Sequence, residues 1–392
     1  MISEMSELLK ILLVIYKLEV GGAERVVVSL AQGLTQLGHE CLVCCFKGGP
    51  LEAALEHSGI RVINLSRRGW WDVSAFLKLV RLMKAERVSV VHTHSFTANL
   101  WGRLAGLCSG VPVLVTTEHT LATGKSVFQR VADKALAGVT DWIIAVSGAV
   151  KDSVVSTEGI PQERIITVYN GIAIDSPSIS EEVRSGIRKA LGIQDNQKVV
   201  VAVGRLEPPK GHYYLVKAAY IVCNLLRNVQ FVIVGDGSLM NDLVRYVREL
   251  GLSDNVIFAG ERSDVPAILQ VCDLAVLSSV REGFSITLLE YMASGRCIIA
   301  TDVGGAREAL IHDESGLIVQ PRNPMALAEA ILQLLKDETA AKAMGQKAKE
   351  RCFDRFTTAR MVEDTARLYI QAHRKPALTV RGGTVESRSR AL

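Results

Sequence analysis

Two series of short apolar runs, each run trailed by a turn and a helix-like segment, constrain this chain more than any other feature. Residues 11–16, 41–46, 61–65, 88–92, 113–117 and 142–146 make the first series. Residues 199–203, 231–234, 256–258, 274–277, 298–301 and 317–319 make the second. Near-continuous apolar strands alternating with helices belong to parallel sheets covered on both faces. Between the series, 169–180 is turn-rich, with Asp175, Ser176, Pro177 and Ser178 together, and reads as a linker. At 392 residues, 48% of them apolar, the chain is too long for one core and rich enough for two. The expected fold class is α/β: two doubly wound domains in tandem, 1–178 and 179–356. Ligands of such sheets bind beyond the carboxyl ends of the strands, and two facing sheets would make an interdomain cleft. Helices are expected over 324–335, 338–351 and 357–373. The segment 357–374 is expected to pack back on the first domain, and the polar tail 375–392 to be disordered.

Composition excludes several classes. A net charge of +4, with no Lys/Arg run long enough to track a phosphate backbone, argues against nucleic acid. Eight cysteines lie mostly inside apolar runs with no secretory leader before them, which predicts reduced thiols and a cytoplasmic chain. Cys41-x-x-Cys44-Cys45 has the spacing of half a zinc site, but it falls in a buried-strand pattern without a second Cys/His pair. No apolar stretch reaches the roughly 18 to 20 residues that cross a bilayer.

The chemistry-bearing residues cluster at the strand ends. Glu282 and Glu290 stand eight positions apart across Gly283. Were most of that segment helical, the carboxylates would lie about 12 Å apart along the axis. The N–H groups of Phe284, Ser285 and Ile286 would then open the helix toward a diphosphate, with the two acids gripping hydroxyls. Isolated glutamates are usually solvated, so the neighbouring loops decide. Gly204-Arg205-Leu206-Glu207-Pro208-Pro209-Lys210-Gly211 offers a guanidinium fork and a point charge, a pairing suited to a diphosphate. One unit-charge pair at ~4 Å contributes about 4 kcal/mol at an effective dielectric near 20. Part of that, realised as a phosphate leaves, is worth roughly a hundredfold in rate. Two such cations can replace a metal, and the chain has no Asp-x-Asp.

Glycines punctuate the remaining loops. Gly21-Gly22-Ala23-Glu24-Arg25 precedes an amphipathic helix, and Val234-Gly235-Asp236-Gly237 and Gly304-Gly305-Ala306-Arg307-Glu308 end later strands. Each is expected to let a ligand approach backbone. Met240 stands where a dinucleotide fingerprint needs its third glycine, which argues against a dehydrogenase. Glu308 reads as a helix-start residue. Among the histidines, His119 is the candidate donor to a sugar hydroxyl or phosphate oxygen. His92 and His94 are read as facing opposite sides of their strand, with no third metal ligand.

In order along the chain, Gly21-Gly22-Ala23-Glu24, His119, Val168-Tyr169-Asn170-Gly171, Gly204-Arg205 with Lys210-Gly211, Val234-Gly235-Asp236-Gly237 and Glu282-x7-Glu290 resemble the retaining glycosyltransferases of family 4, up to about His373. The resemblance implies the GT-B architecture of two Rossmann-like domains. It also implies donor binding by Gly22, Arg205, Lys210, Glu282, Gly283, Phe284, Ser285, Ile286 and Glu290. Glu290 would hold the ribose, Glu282 the donor sugar, and Arg205 with Lys210 the diphosphate, while Gly22 would present its amide and His119 hold the sugar. The catalytic set is then Glu282, His119, Arg205 and Lys210. Front-face attack, with the leaving phosphate taking the acceptor proton, is implied, with no protein nucleophile and no metal or other cofactor. A UDP-sugar is the first expectation for the donor and GDP-mannose the second. Adjacent Pro208 and Pro209 depart from the commonest family loop. Two other classes share parts of the pattern: a non-hydrolysing UDP-sugar 2-epimerase and a non-catalytic nucleotide-sugar sensor.

Arg67-Arg68-Gly69-Trp70-Trp71 precedes a helix expected over 72–86, with Val73, Phe76, Leu77, Val80 and Met83 on one side. Basic residues beside paired tryptophans suit a headgroup interface. They predict a peripheral contact at the inner face of a membrane, serving a glycan or lipid-linked acceptor. A basic helix packed on its own domain has the same periodicity.

Overall fold

A computed structural model describes residues 7–69, 72–174, 179–374, 378–381 and 384–387. It divides into two compact units, 1–170 with 358–392, and 171–357. The first holds strands β1 (Lys10–Lys17), β2 (Glu40–Lys47), β3 (Arg61–Asn64), β4 (Val90–His94), β5 (Val113–Glu118), β6 (Trp142–Ala145) and β7 (Ile165–Thr167). They form one parallel sheet in the order β3-β2-β1-β4-β5-β6-β7. The second holds β8 (Lys198–Val203), β9 (Val229–Val234), β10 (Val256–Gly260), β11 (Leu274–Leu277), β12 (Cys297–Thr301) and β13 (Leu317–Val319), ordered β10-β9-β8-β11-β12-β13 and also parallel. Apolar residues fill both faces of the central strands: Ile11 to Ile15 and Val199 to Ala202 are each at most 2% exposed. In both sheets the strand order reverses once, between β1 and β4 and between β8 and β11. Ligands of doubly wound sheets bind at such a reversal.

Three details differ from the sequence expectation. β7, only three residues long, was too short to register as an apolar run. The first unit ends at Asn170 rather than 178, because Ile172 donates to the Phe356 carbonyl at 2.9 Å and bridges to Thr357, drawing the linker's start into the second unit. Residues 175–178 of the expected linker lie outside the described residues. Within the expected disordered tail, Leu378–Arg381 pairs antiparallel with Thr384–Ser387. The rest of 375–392 lies outside the described residues.

The helix Thr358–Arg374 belongs to the first unit. Val362 sits where a Cβ on Gly33 would be 2.4 Å away, Tyr369 reaches His92, and His373 Nδ1 lies 2.7 Å from Glu7 Oε1. Within β2, burial pushes the Cys41 thiol up to about 11 and Cys45 to about 12, so both stay protonated. Among the described residues no group of three or more His, Cys, Asp or Glu is placed to hold a metal ion.

Candidate active site

In the second unit the loops after β8 and β11 are stitched together. Pro208–Lys210 forms a single 3-10 turn, and the Pro209 carbonyl accepts from Val280 N at 2.8 Å. Ser278 Oγ donates to the Lys210 carbonyl at 3.0 Å. Gly211, at φ +68°, packs so closely that a Cβ there would sit 2.1 Å from the Ser278 carbonyl oxygen. The paired prolines therefore serve as an acceptor platform and leave Lys210 free to reach: its Nζ lies 2.6 Å from Glu282 Oε1. Ser279 Oγ donates to the same oxygen at 2.6 Å. Glu282 Oε2 has no partner among the described residues, so it is open to accept from a hydroxyl. The Arg205 guanidinium is exposed, with no hydrogen bond or ion pair among the described residues. Its loop is anchored by buried His212, whose Nε2 lies 3.2 Å from the Arg205 carbonyl. Burial holds the His212 pKa down at about 4, so the ring is neutral and donates from Nε2.

The helix Ile286–Ser294 starts beside this pair. Ser285 caps it, its Oγ accepting from Leu288 N at 3.4 Å, and the amides of Ile286 and Thr287 remain without an acceptor among the described residues. Of the amides expected to be open, Phe284, Ser285 and Ile286, those of Ser285 and Ile286 have no acceptor among the described residues. Phe284 instead turns inward, 5% exposed, its ring 5.3 Å from that of Phe356. With the helix beginning at Ile286, Glu282 lies outside it and the all-helical spacing to Glu290 does not apply. Next to half-buried Glu290, Tyr291 is wholly buried, and its hydroxyl accepts from Val203 N at 2.6 Å. This fixes the helix against the end of β8. Ser279 and Tyr291 escaped the sequence reading because neither belongs to a motif and their partners are remote in sequence.

The glycine loops correct another expectation. A Cβ on Gly235 would be 2.1 Å from the Gly204 carbonyl oxygen, and one on Gly237 2.6 Å from that of Leu206. One on Gly304 would be 2.4 Å from the Glu282 carbonyl oxygen. Gly305 N donates to the Gly283 carbonyl at 2.8 Å. What approaches these glycines is the chain itself, so they shape the loops that carry Arg205 and Glu282.

In the first unit Gly22 opens the helix Gly22–Gln36 after β1, and a Cβ on Gly21 would meet Glu24 Oε2 at 2.3 Å. His119 follows β5. Its Nε2 lies 3.0 Å from His94 Nδ1, and burial lowers its pKa to about 4. His92 and His94 were expected on opposite sides, but residues two apart in a strand share a face, and their rings lie 4.1 Å apart. A buried ion network holds the segment after His119. Lys125 Nζ lies 2.8 Å from Glu118, 2.7 Å from Asp133 and 2.8 Å from Glu158, and Arg103 pairs with Asp133 at 2.5 Å. Two cations face three acids, and burial, opposed by Lys125, pushes the Glu158 carboxyl up to about 7.

Of the predicted membrane residues, Arg67 turns onto its own unit, its guanidinium 4.6 Å from the Trp101 ring and 5.5 Å from that of Phe46. Arg68 is exposed, and Trp70 and Trp71 lie outside the described residues. The helix Val73–Ala85 buries Ala75, Leu79 and Met83, leaving Val73 and Leu77 exposed at 62% and 44%, so its expected apolar side is split. Among the described residues no helix is long and apolar enough to cross a membrane.

Comparison with known proteins agrees with this arrangement. The family described as Glycosyltransferase Family 4 matches residues 20–176, and Glycosyl transferases group 1 matches 183–351. The chain belongs to glycosyltransferase family 4. Its two parallel sheets make this glycosyltransferase a GT-B protein. It is 27% identical to the Escherichia coli UDP-Gal:alpha-D-GlcNAc-diphosphoundecaprenol alpha-1,3-galactosyltransferase, over 89% of this chain and 93% of the relative. It is 27% identical to a Campylobacter jejuni diphospho-undecaprenol 4-alpha-N-acetylgalactosaminyltransferase, over 88% of this chain and 96% of the relative. The structure of Anabaena HepE with UDP-glucose superposes with a TM-score of 0.84 at 25% identity, covering 92% of this chain and 98% of that one.

Proposed function

We propose that this glycosyltransferase moves a hexosyl or N-acetylhexosaminyl group from a nucleotide sugar to a glycan or lipid-linked acceptor, with retention, in cell-envelope polysaccharide synthesis. A UDP-sugar is the first choice of donor and GDP-mannose the second. The observation that carries the reading is the Lys210–Glu282–Ser279 cluster, with exposed Arg205 and the open amides of Ile286 and Thr287 on neighbouring loops of one sheet reversal. Arg205, Lys210 and the helix start suit a diphosphate, and Glu282 Oε2 suits a sugar hydroxyl. Glu290 is assigned to the ribose, with Gly283, Phe284 and Ser285 shaping the entry to the helix. Gly22 and His119 of the first unit are assigned to the diphosphate and the donor sugar. Charge on the leaving diphosphate is met by side chains and amides, so the proposed reaction needs no metal.

The relatives support the finer points. The Escherichia coli protein is named for UDP-galactose and a diphosphoundecaprenol acceptor, and HepE binds UDP-glucose. Both named transferases are specified as making alpha linkages. A membrane contact is proposed for the face that carries exposed Val73 and Leu77 beside Arg68, Lys78, Arg81 and Lys84 at the proposed cytoplasmic surface. Incubation with UDP- and GDP-sugars and an undecaprenyl-diphosphate sugar tests the reaction. Acceptor-dependent nucleotide release with an α-configured product, unchanged by EDTA, is expected. Sugar isomerisation without acceptor would replace the reading with an epimerase, and binding without turnover would replace it with a sensor. Flotation on anionic vesicles tests the contact; binding unaffected by Leu77→Glu would remove it.

A further inference from the structure

Three histidine rings of the first unit form a row at the ends of β4 and β5. His92 and His94 have ring centroids 4.1 Å apart, and His94 and His119 5.3 Å apart. The row is anchored at one end. His92 Nδ1 lies 2.5 Å from the Tyr369 hydroxyl and its Nε2 2.6 Å from Thr117 Oγ1, so both of its nitrogens are engaged. At the other end His119, half-buried, spends Nε2 on His94 Nδ1 at 3.0 Å, while its Nδ1 has no partner among the described residues. His94 is wholly buried, and its Nε2 has no hydrogen-bond partner among the described residues.

That orphaned nitrogen decides where the protons sit. All three rings are neutral near pH 7: burial lowers His92 to about 3, His119 to about 4 and His94 well below its ordinary value. Each ring then carries one proton, and one proton occupies the bond between His94 and His119. If that proton belonged to His119 Nε2, His94 would carry its own on Nε2. A buried N–H would then face no acceptor, a costly and rare state. If it belongs to His94 Nδ1, the buried Nε2 is only a lone pair, and no donor is stranded. The proton on His119 must then be on Nδ1. Backbone strain beside the row is consistent with a fixed position: Ser95, directly after His94, holds φ +71° and ψ 150°, a region that side-chain-bearing residues rarely enter.

We propose that His94 is a positioning residue that donates from Nδ1 to His119 Nε2, fixing His119 as the Nδ1–H tautomer so that its open nitrogen donates a hydrogen bond to an oxygen of the sugar-nucleotide and cannot act as a base. The function of that donation rests on the donor-sugar role proposed for His119; the tautomer itself does not. His92 steadies the row from behind, held by Thr117 and Tyr369.

Long-range 1H–15N correlation spectra of the full chain without substrate read the tautomer directly. The expected result is a protonated, pyrrole-type Nδ1 and an unprotonated, pyridine-type Nε2 on His119. A protonated Nε2, or a mixture of both forms, overturns the proposal and leaves the glycosyltransferase reading intact. In His94→Leu, His119 should become a tautomer mixture and kcat/KM for the donor should fall about tenfold, the loss of one well-placed hydrogen bond. His94→Asn, whose amide N–H can take the place of Nδ1–H, should restore the single tautomer and most of the rate. Equal rates in wild type and His94→Leu, with the tautomer lost, overturn the positioning role. Absence of turnover by the wild type with every donor removes the transferase reading while the spectra still decide the tautomer.

Discussion

Glu282 and Lys210 are already paired before any ligand arrives, and this governs what single substitutions should do. Removing Lys210 takes away a cation that would meet developing charge on the leaving diphosphate. Lys210→Ala is expected to lower kcat by about a hundredfold, with a smaller change in KM, in steady-state assays with the preferred donor. Glycine positions offer a separate test of scaffold against ligand contact. At Gly235, φ is +134° and a Cβ would sit 2.1 Å from a backbone oxygen. Gly235→Ala should therefore lose about 2 kcal/mol or more of stability in urea titration, even without substrate. A variant as stable as wild type but unable to bind donor would reinstate the ligand-facing role. Sequence alone identified Gly235, Gly237 and Gly304 as positions where something comes close. It could not say that the visitor is another loop, because Gly204, Leu206 and Glu282 become neighbours only once the sheet is assembled.

At the scale of elements, legibility follows the range of the forces involved. The central strands are legible as apolar runs because burial on both faces writes a local signature, while the edge strands β3 and β10, only partly buried, are legible from their β-branched and aromatic residues between turns. β7 was missed because three residues are too few to carry one. β4 was placed two residues early, which turned His92-Thr93-His94 from strand into strand end. The helix after Glu282 begins two residues later than expected, at Ile286 rather than Phe284, with Phe284 packed on Phe356, more than seventy positions away. Long-range polar partners leave no sequence trace, and the Lys125 network is the largest such omission. Lys125 holds three buried acids, so Lys125→Met would leave Glu118, Asp133 and Glu158 with Arg103 as their remaining cation. Breaking a buried pair by removing one partner is strongly destabilising, and a loss of about 3 kcal/mol is expected in denaturant unfolding. Unchanged stability would mean that water compensates the acids and that the segment after His119 is not held by this lysine.

Across the whole molecule, buried histidines in both units couple folding to pH. His39, His92 and His94 in the first unit and His212 in the second are each at most 3% exposed, and burial lowers His39 like the others. Burial holds His92 at about 3 and His212 at about 4, with His94 also well below its ordinary value. The unfolded chain therefore binds protons, below its histidine pKa of about 6.5, that the folded chain refuses. Stability from these rings is fully present above pH 6.5 and is lost as pH falls, at up to about 1.4 kcal/mol per pH unit for each ring. Half-buried His119, at about 4, acts in the same direction. Glu118 and Glu158 oppose them, since both carboxyls are raised by burial and the folded chain keeps protons there that the unfolded one releases. Their opposition is confined to the window between their unfolded and folded values, with Glu158 folded at about 7. Four buried rings and His119 against two acids leave a net loss from pH 6.5 down to about 4.5. Below that the unfolded acids are protonated too, and the histidines act unopposed. Urea midpoints measured at pH 7.5, 5.5 and 4.2 should therefore fall, and fall more steeply over the second interval. A midpoint higher at pH 5.5 than at 7.5 would show that Glu118 and Glu158 dominate, and that the histidine rings are not held neutral by the fold.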